Sequence, residues 1–303
     1  MPHASYRFID PKVLAALGDL MLAARTVVDG FMYGVHHSRI PGAGLEFSQY
    51  RSYQPGDDLR RVDWKLFARS DRYFLRDAES DTSVTVRLIL DASGSMAHEE
   101  AGLTKFDYAR LATAALAVLA QRQGDAVALT ALNDAELRLL PPGRGQQHLH
   151  RTLHLLEQLT PSGAWPAWER MEGVFTTGAP RGLAVVITDL HERAREIRTV
   201  AAKLVALRHE VLVLHVIGRA ELEFPYQGTV SFEELETGRR VEVDTAAARA
   251  PYLAALEREL CDLQHDLQEL PADYARFALD QPLDEALRRY LIGRARVACR
   301  CSA

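Results

Sequence analysis

From about residue 84 onward, short apolar runs alternate with longer segments whose apolar positions recur at helical spacing. The short runs predict strands over 85–90, 125–131, 136–140, 183–188 and 210–217. The longer segments predict helices over 106–123, 147–159, 167–175 and 193–207. Strands rich in Val, Ile and Leu that alternate with helices are typical of a mostly parallel sheet. The pattern therefore predicts an α/β fold with helices on both faces of the sheet.

The two ends of the chain show other patterns. Residues 11–29 predict an amphipathic helix, whereas 42–74 mix aromatic and charged residues without a clean period. After residue 248 we expect a long helix over 248–269, a strand over 274–278 and a helix over 283–293. We therefore divide the chain into an N-terminal annex, 1–80, and an α/β domain with a C-terminal helical extension, 81–303.

The composition and charge of the chain bear on its cellular location and on the classes of partner it can bind. A net charge of −5 gives no general attraction to nucleic acid or to an anionic membrane surface. No run approaches the roughly 20 apolar residues of a membrane-spanning helix, and the N-terminus lacks the pattern of a secretory signal. Three cysteines are too few for a disulfide framework. These features indicate a cytoplasmic protein with neither a nucleic-acid partner nor a membrane span.

Candidate chemistry lies where two predicted strands end. Asp91 follows the first strand of the α/β domain and Asp189 follows the fourth, and Ser93 and Ser95 come shortly after Asp91. Because ligands of parallel sheets bind beyond the carboxyl ends of the strands, we expect the four side chains to converge. Carboxylates and hydroxyls suit Mg²⁺ or Mn²⁺ with one coordination position left open. The alternative is that Asp91 and Ser93 merely form a turn or cap the next helix.

Two segments resemble known families. Asp91-Ala-Ser-Gly-Ser-Met96 is similar to the metal-ion-dependent adhesion site of von Willebrand factor A domains. The segment from Gly44 to Arg69 closely resembles the signature of the bacterial domain-of-unknown-function family 58, in which an annex precedes an A domain. This resemblance implies a von Willebrand A (Rossmann-like) fold and a metal held by Asp91, Ser93, Ser95 and Asp189. It also implies a MoxR-type AAA+ ATPase as partner, together with an unknown client protein.

One departure from the family pattern bears on the metal. Adhesion sites of this type also use a threonine, and relatives carry Gly-Gly-Thr-Asp where this chain has Ser162-Gly163-Ala164-Trp165. Neither Ala164 nor Trp165 can supply the hydroxyl. The sequence therefore leaves open a weak site completed by water and a site that no longer binds metal.

Within the signature segment, charged and aromatic residues have two interpretations. Their ion pairs could seat the annex on the α/β domain, or they could form a recognition surface, since arginine and aromatic residues often anchor interfaces. We favour the first interpretation. The residues concerned are Arg51, Asp57, Arg60, Asp63, Trp64 and Arg69.

The combined interpretation is a non-enzymatic adaptor that docks partners through the metal and works with the ATPase in maturation or assembly of the client. A metal-dependent hydrolase is the alternative from another class, because His98 and His191 lie close in sequence to the two aspartates. A third alternative is a structural A domain with an inactive metal site.

Overall fold

The computed structural model of the protein describes residues 9–37, 50–52, 74–76, 84–133, 136–176, 181–191, 196–235 and 237–290. The chain forms two compact units, one of Met1–His36 with Val84–Ala303 and one of His37–Ser83. In the smaller unit, β1 (Tyr50–Ser52) pairs antiparallel with β2 (Phe74–Arg76). The N-terminal helices belong to the larger unit. The predicted division into 1–80 and 81–303 stays a prediction.

The elements of the larger unit follow the predicted alternation. Its strands are β3 (Thr85–Asp91), β4 (Glu99–Glu100), β5 (Leu103–Thr104), β6 (Ala126–Leu132), β7 (Leu137–Gly143), β8 (Gly182–Thr188), β9 (Glu210–Ile217), β10 (Thr229–Glu233), β11 (Arg240–Asp244) and β12 (Ala272–Ala278). Its helices are α1 (Pro11–Ala15), α2 (Leu20–His37), α3 (Lys105–Arg122), α4 (Gly145–Gln158), α5 (Trp168–Thr176), α6 (Glu196–Ala206), α7 (Arg219–Glu223), α8 (Thr245–Glu269) and α9 (283–290). None of these described helices has the length and apolar character needed to cross a membrane.

Six strands form the central sheet, in the spatial order β12-β9-β8-β3-β6-β7. Neighbouring strands run parallel except for β7, which pairs antiparallel with β6 at the edge. In chain order the strands read 6-5-4-1-2-3, which is the doubly wound Rossmann order. The predicted fold class, a von Willebrand A-type sheet flanked by helices, is confirmed by this topology.

Alternate side chains of β3 point to opposite faces of the sheet, and a helical layer covers each face. Val86, Leu88 and Leu90 pack into a cluster with apolar residues of α2, α3 and α4. Ile89 belongs to a second cluster with residues of α5 and α6. Because both faces of β3 are buried, its apolar run is nearly continuous, as the sequence indicated.

Two predicted elements differ from the structure. The single helix predicted over 11–29 is wrong: the chain breaks at Gly18, whose φ of +66° lies in the left-handed region. Asp19 then accepts a hydrogen bond from the Leu22 amide at 2.9 Å, which helps to begin α2. The strand predicted over 136–140, which is β7, continues through Pro141 and Pro142 instead of ending before them. Its position at the edge of the sheet permits the two prolines.

The close approach of β8 and β3 allows a test of the sheet register. Thr85 and Gly182 are register partners, and a Cβ atom added at Gly182 would lie 1.9 Å from the Thr85 carbonyl oxygen. We expect Gly182→Ala to lower the free energy of unfolding by about 2 kcal/mol or more, measured by urea denaturation, because the backbone must shift. In Gly173→Ala, where the new Cβ meets open space within α5, stability should hold or rise slightly. Equal stability of the two variants would contradict the register.

Candidate metal centre

The candidate site lies where the strand order reverses. β3 and β8 are neighbours in the sheet but are followed by connections to opposite sides, so a crevice opens beyond their carboxyl ends. Asp91 is the last residue of β3, and Asp189 directly follows Thr188, the last residue of β8. The structure therefore brings together the two aspartates that the sequence singled out.

The Asp91 carboxylate is almost completely buried, and both of its oxygens accept hydrogen bonds. The Ser93 amide donates to Oδ1 at 2.9 Å, and the Thr188 hydroxyl donates to Oδ2 at 2.6 Å. Thr188 is itself oriented by the Leu190 amide, which donates to its hydroxyl at 3.0 Å. Asp91 is thus held rigidly, although no cation among the described side chains pairs with it.

The two serines connect Asp91 to Asp189. Ser93 follows Asp91 in the same loop, and its hydroxyl lies 3.1 Å from that of Ser95. The Ser95 hydroxyl donates to Asp189 Oδ1 at 3.1 Å. All four predicted ligands, Asp91, Ser93, Ser95 and Asp189, therefore belong to one hydrogen-bonded group.

Asp189 differs from Asp91 because a lysine neutralises it. Lys105, the first residue of α3, places its Nζ 3.1 Å from Asp189 Oδ2 and 2.7 Å from Glu221 Oε1. His191 Nε2 lies 3.1 Å from the same Glu221 oxygen. The side chain of Lys105 is only 1% exposed, so these pairs lie largely out of water.

The pKa values follow this uneven neutralisation. Burial and the charge of Asp189 raise the pKa of Asp91 to about 7, against the hydrogen bonds from Ser93 and Thr188. Burial acts in the same direction on Asp189, but Lys105 and His191 hold the pKa of that carboxyl below its ordinary value. Burial disfavours the Lys105 ammonium, yet Asp189 and Glu221 raise its pKa. When it is ionised, the Asp91 carboxylate therefore has no compensating cation among the described residues.

The donor set fits a hard divalent cation. Asp91 and Asp189 offer carboxylate oxygens, Ser93 and Ser95 offer hydroxyls, and the unneutralised charge of Asp91 favours a cation. Within the described ranges, no three His, Cys, Asp or Glu side chains are grouped so that they could hold a metal. A cation at this loop would therefore depend on the serine hydroxyls as well as on the two aspartates.

The loop that would carry the usual threonine lies beside the site. Gly94 donates its amide to the Gly163 carbonyl at 2.8 Å, and Ser162 donates its amide to the Ala92 carbonyl at 2.9 Å. Ala164 follows these contacts, and Trp165 is buried in the second apolar cluster. The backbone is in place, but the residue that follows it brings no hydroxyl.

A cleft of about 110 Å³ opens next to Asp189. Glu221 and His191 line one side, and Tyr252, Leu256 and Leu260 of α8 line another. His215 also lines this cleft, and its Nδ1 lies 2.8 Å from the Tyr274 hydroxyl. Burial lowers the pKa of His215 to about 3, so its imidazole is neutral at ordinary pH. A partly apolar recess thus adjoins the polar loop.

The two histidines near the aspartates are not arranged alike. His191 is engaged by Glu221, which raises the pKa of its imidazole. His98 has a buried Nε2 for which the described part of the chain offers no hydrogen-bond partner, and burial lowers its pKa. Among the described residues, neither imidazole ring forms a hydrogen bond with Asp91 or Asp189.

The predicted annex residues mostly lie outside the described residues. Arg51 falls in β1, but its side chain is not described. The rest of that group is outside the described ranges: Asp57, Arg60, Asp63, Trp64 and Arg69. Their role, in seating the annex or in recognition, stays a prediction.

Sequence reasoning missed three residues of the site. Thr188 could have been found, because it directly precedes Asp189 at the end of a predicted strand. Lys105 and Glu221 carry no such signal, since they lie 84 and 32 residues from Asp189 in opposite directions along the chain. Only the folded chain brings them together.

Comparison with known proteins identifies relatives over most of the chain. The profile of the family described as "Protein of unknown function DUF58" matches residues 49–260. The uncharacterized protein Rv1480 of Mycobacterium tuberculosis is 30% identical over 294 residues, which cover 95% of this chain and 92% of that protein. An uncharacterized protein of Mycobacterium bovis, Mb1516, matches to the same extent.

Similar solved structures are more distant. BatB from Bacteroides thetaiotaomicron is 16% identical with a TM-score of 0.46, covering 71% of this chain and 100% of that one. The SpRpn10 VWA domain is 10% identical with a TM-score of 0.39, covering 68% of this chain and 94% of that one.

The raised pKa of Asp91 leads to a prediction for the protein in chelator. A native pKa of about 7 lies above the unfolded value of about 3.9, so the stability contributed by the protonated carboxyl is complete below about pH 4 and is lost as pH rises through 7. We expect Asp91→Asn, which cannot ionise, to raise the free energy of unfolding by on the order of 1 to 3 kcal/mol above pH 7.

Near pH 4 the same substitution should have little effect, because Asp91 is then protonated. Urea denaturation in EDTA across this pH range measures the difference. Asp262→Asn, on an exposed position of α8, is the matched control and should leave the pH profile unchanged. If the free energy of unfolding of Asp91→Asn changes with pH in the same way as that of the wild type, Asp91 carries no unfavourable charge.

Proposed function

This chain belongs to the DUF58 family, a family of unknown function, and from that premise we propose that it is a non-enzymatic, metal-dependent adaptor for other proteins. The metal is Mg²⁺ or Mn²⁺, and the ligands are Asp91, Ser93, Ser95 and Asp189. The partner is a MoxR-type AAA+ ATPase that the adaptor directs to a client protein. The client undergoes maturation or assembly.

The observation that carries the proposal is the unneutralised Asp91 carboxylate beside two hydroxyls and a second carboxylate. Leaving a buried carboxylate without a cation costs stability, so a site that keeps one suits a function that supplies the cation. Asp91, Ser93, Ser95 and Asp189 would hold the divalent ion, which would supply a contact for a carboxylate of the partner. Thr188 and Ser93 hold Asp91 in place for such a contact.

The surroundings of the loop suit docking better than turnover. The cleft beside Asp189 offers Tyr252, Leu256 and Leu260 as apolar contacts for a partner segment. A hydrolase would need a general base positioned for a water molecule at the metal. His191 is instead bonded to Glu221.

The identity of the partner rests on the family resemblance of the segment from Gly44 to Arg69. An adaptor of an ATP-driven machine works where ATP is available, so the proposal places the chain in the cytoplasm. The annex residues Trp64 and Arg69 lie in the segment that carries this resemblance.

Affinity capture tests the adaptor function. We expect the full-length protein, tagged and expressed in its native cell, to capture a MoxR-type AAA+ ATPase with Mg²⁺ present. Capture should fall at least about ten-fold with EDTA and in Asp91→Ala, because a lost metal contact of about 1.4 kcal/mol or more weakens binding by that factor. The measurement is quantitative mass spectrometry of the eluates.

Glu157→Ala, which also removes a carboxylate but from an exposed position of α4 away from the cleft, is the matched control and should capture as the wild type does. If no AAA+ ATPase is captured either with Mg²⁺ or with EDTA, the adaptor proposal is wrong. Equal capture by Asp91→Ala would instead indicate a structural A domain with an inactive site. Mg²⁺-dependent hydrolytic turnover that disappears in Asp91→Ala would favour the hydrolase.

The missing threonine gives a prediction with gain of binding. The backbone of 162–163 already contacts the metal loop, so a hydroxyl at the next position lies close to it. We expect Ala164→Thr to bind Mg²⁺ at least about five-fold more tightly by isothermal titration calorimetry, since one added ligand contributes on the order of 1 kcal/mol. Ala167→Thr, at an exposed position in the same connection, should not change the affinity. A weaker affinity of Ala164→Thr would argue against this loop as the source of a ligand.

A further inference from the structure

Lys105 is an unusual residue to find inside a protein. Lysine is almost never fully buried unless it is paired, because its ammonium loses its hydration. Here the side chain is 1% exposed and contacts Asp189 at 3.1 Å and Glu221 at 2.7 Å. The chain thus keeps a buried ammonium directly beside the loop of the candidate metal centre.

The two oxygens of Asp189 face different groups. Oδ1 accepts from Ser95 of the metal loop, and Oδ2 accepts from Lys105. One carboxylate therefore connects the metal loop to a permanent positive charge. The ammonium gives Asp189 the neutralisation that Asp91, on the other side of the loop, lacks among the described residues.

Glu221 is the second carboxylate that contacts the Lys105 ammonium. Its Oε1 accepts from Lys105, and its Oε2 accepts from the Gly218 amide at 2.6 Å. His191 also contacts Oε1. Glu221 lies in the first turn of α7 and lines the cleft. Through its two ion pairs, Lys105 therefore connects the metal loop to the wall of that cleft.

From this geometry we propose that Lys105 is a positioning residue that acts as the built-in counter-cation of the site. It holds Asp189 and Glu221 together in the metal-free protein, and its charge opposes the binding of a divalent cation next to Asp189. The second half of this inference rests on the proposed function, whereas the first half does not.

The two effects have the same electrostatic origin. Removing one partner of a buried ion pair leaves an uncompensated charge and is strongly destabilising. A divalent cation can then supply the missing charge, and it meets no repulsion from an ammonium. Loss of Lys105 should therefore make the fold depend on metal and make the metal bind more tightly.

Lys105→Met, which keeps an unbranched side chain one atom shorter and removes the charge, tests both effects with Mg²⁺ alone as the probe. In EDTA we expect the melting temperature of the full-length variant to fall by about 5 °C or more. Added Mg²⁺ should raise it by more than it raises that of the wild type. Calorimetry should give an affinity for Mg²⁺ at least about ten-fold tighter than that of the wild type.

Two further variants serve as controls. Arg122→Met removes a cation from the other end of α3, where it pairs with the exposed Asp29, and should change neither quantity. Lys105→Met combined with Asp189→Asn removes both charges of one pair, so in EDTA it should recover most of the lost melting temperature. This double variant keeps the test informative if Lys105→Met alone folds poorly.

The outcomes separate this inference from the proposed function. Unchanged or weaker Mg²⁺ affinity in Lys105→Met, with measurable binding by the wild type, overturns the inference and leaves the adaptor standing. If neither protein binds Mg²⁺ and neither binds Mn²⁺ in the same titration, the metal-dependent adaptor fails, and stability in EDTA decides the inference. Rescue by Asp189→Asn then supports the counter-cation role, and lack of rescue overturns it.

Discussion

The repulsion between two buried carboxylates is the constraint on which the site depends. Asp91 and Asp189 end neighbouring strands at the point where the strand order reverses, so the topology itself brings their charges together. Water cannot screen them, because both side chains are almost fully buried. A fold selected for stability alone would place apolar residues there. The arrangement therefore indicates a position at which function has set the residues.

The neighbouring segments compensate for this repulsion in unequal measure. Asp189 receives an ammonium, a serine hydroxyl and the His191 amide. From the part of the chain that the structure describes, Asp91 receives only neutral donors, from Ser93 and Thr188. Neutral hydrogen bonds stabilise a carboxylate less than an ion pair does, so the unfavourable charge concentrates on Asp91. This asymmetry identifies Asp91 as the carboxylate that gains most from a cation.

Much of the fold could be predicted from sequence, because a strand that is buried on both faces consists of a nearly continuous run of apolar residues. The four predicted parallel strands over 85–90, 125–131, 183–188 and 210–217 correspond to β3, β6, β8 and β9. The hairpin of β10 and β11 was missed because each strand has only five, largely exposed residues, although Val230, Phe232, Val241 and Val243 alternate with polar residues at the period of a strand. Lys105 was missed for another reason: its partners are Asp189, just after β8, and Glu221 in α7, and only tertiary structure joins them.

The missing threonine and the buried lysine act in the same direction. Ala164 has no hydroxyl that could serve as a neutral ligand. Lys105 places a positive charge beside Asp189, whose carboxylate a cation would use. Each would weaken the binding of a divalent ion at this loop, although Asp91, Ser93 and Ser95 are present as ligands. If the proposed adaptor does bind the ion, the buried Asp91, which has no paired cation among the described residues, supplies the charge that attracts it. A partner held through a weakly bound ion would dissociate readily, so the proposed contact would be one that forms and releases.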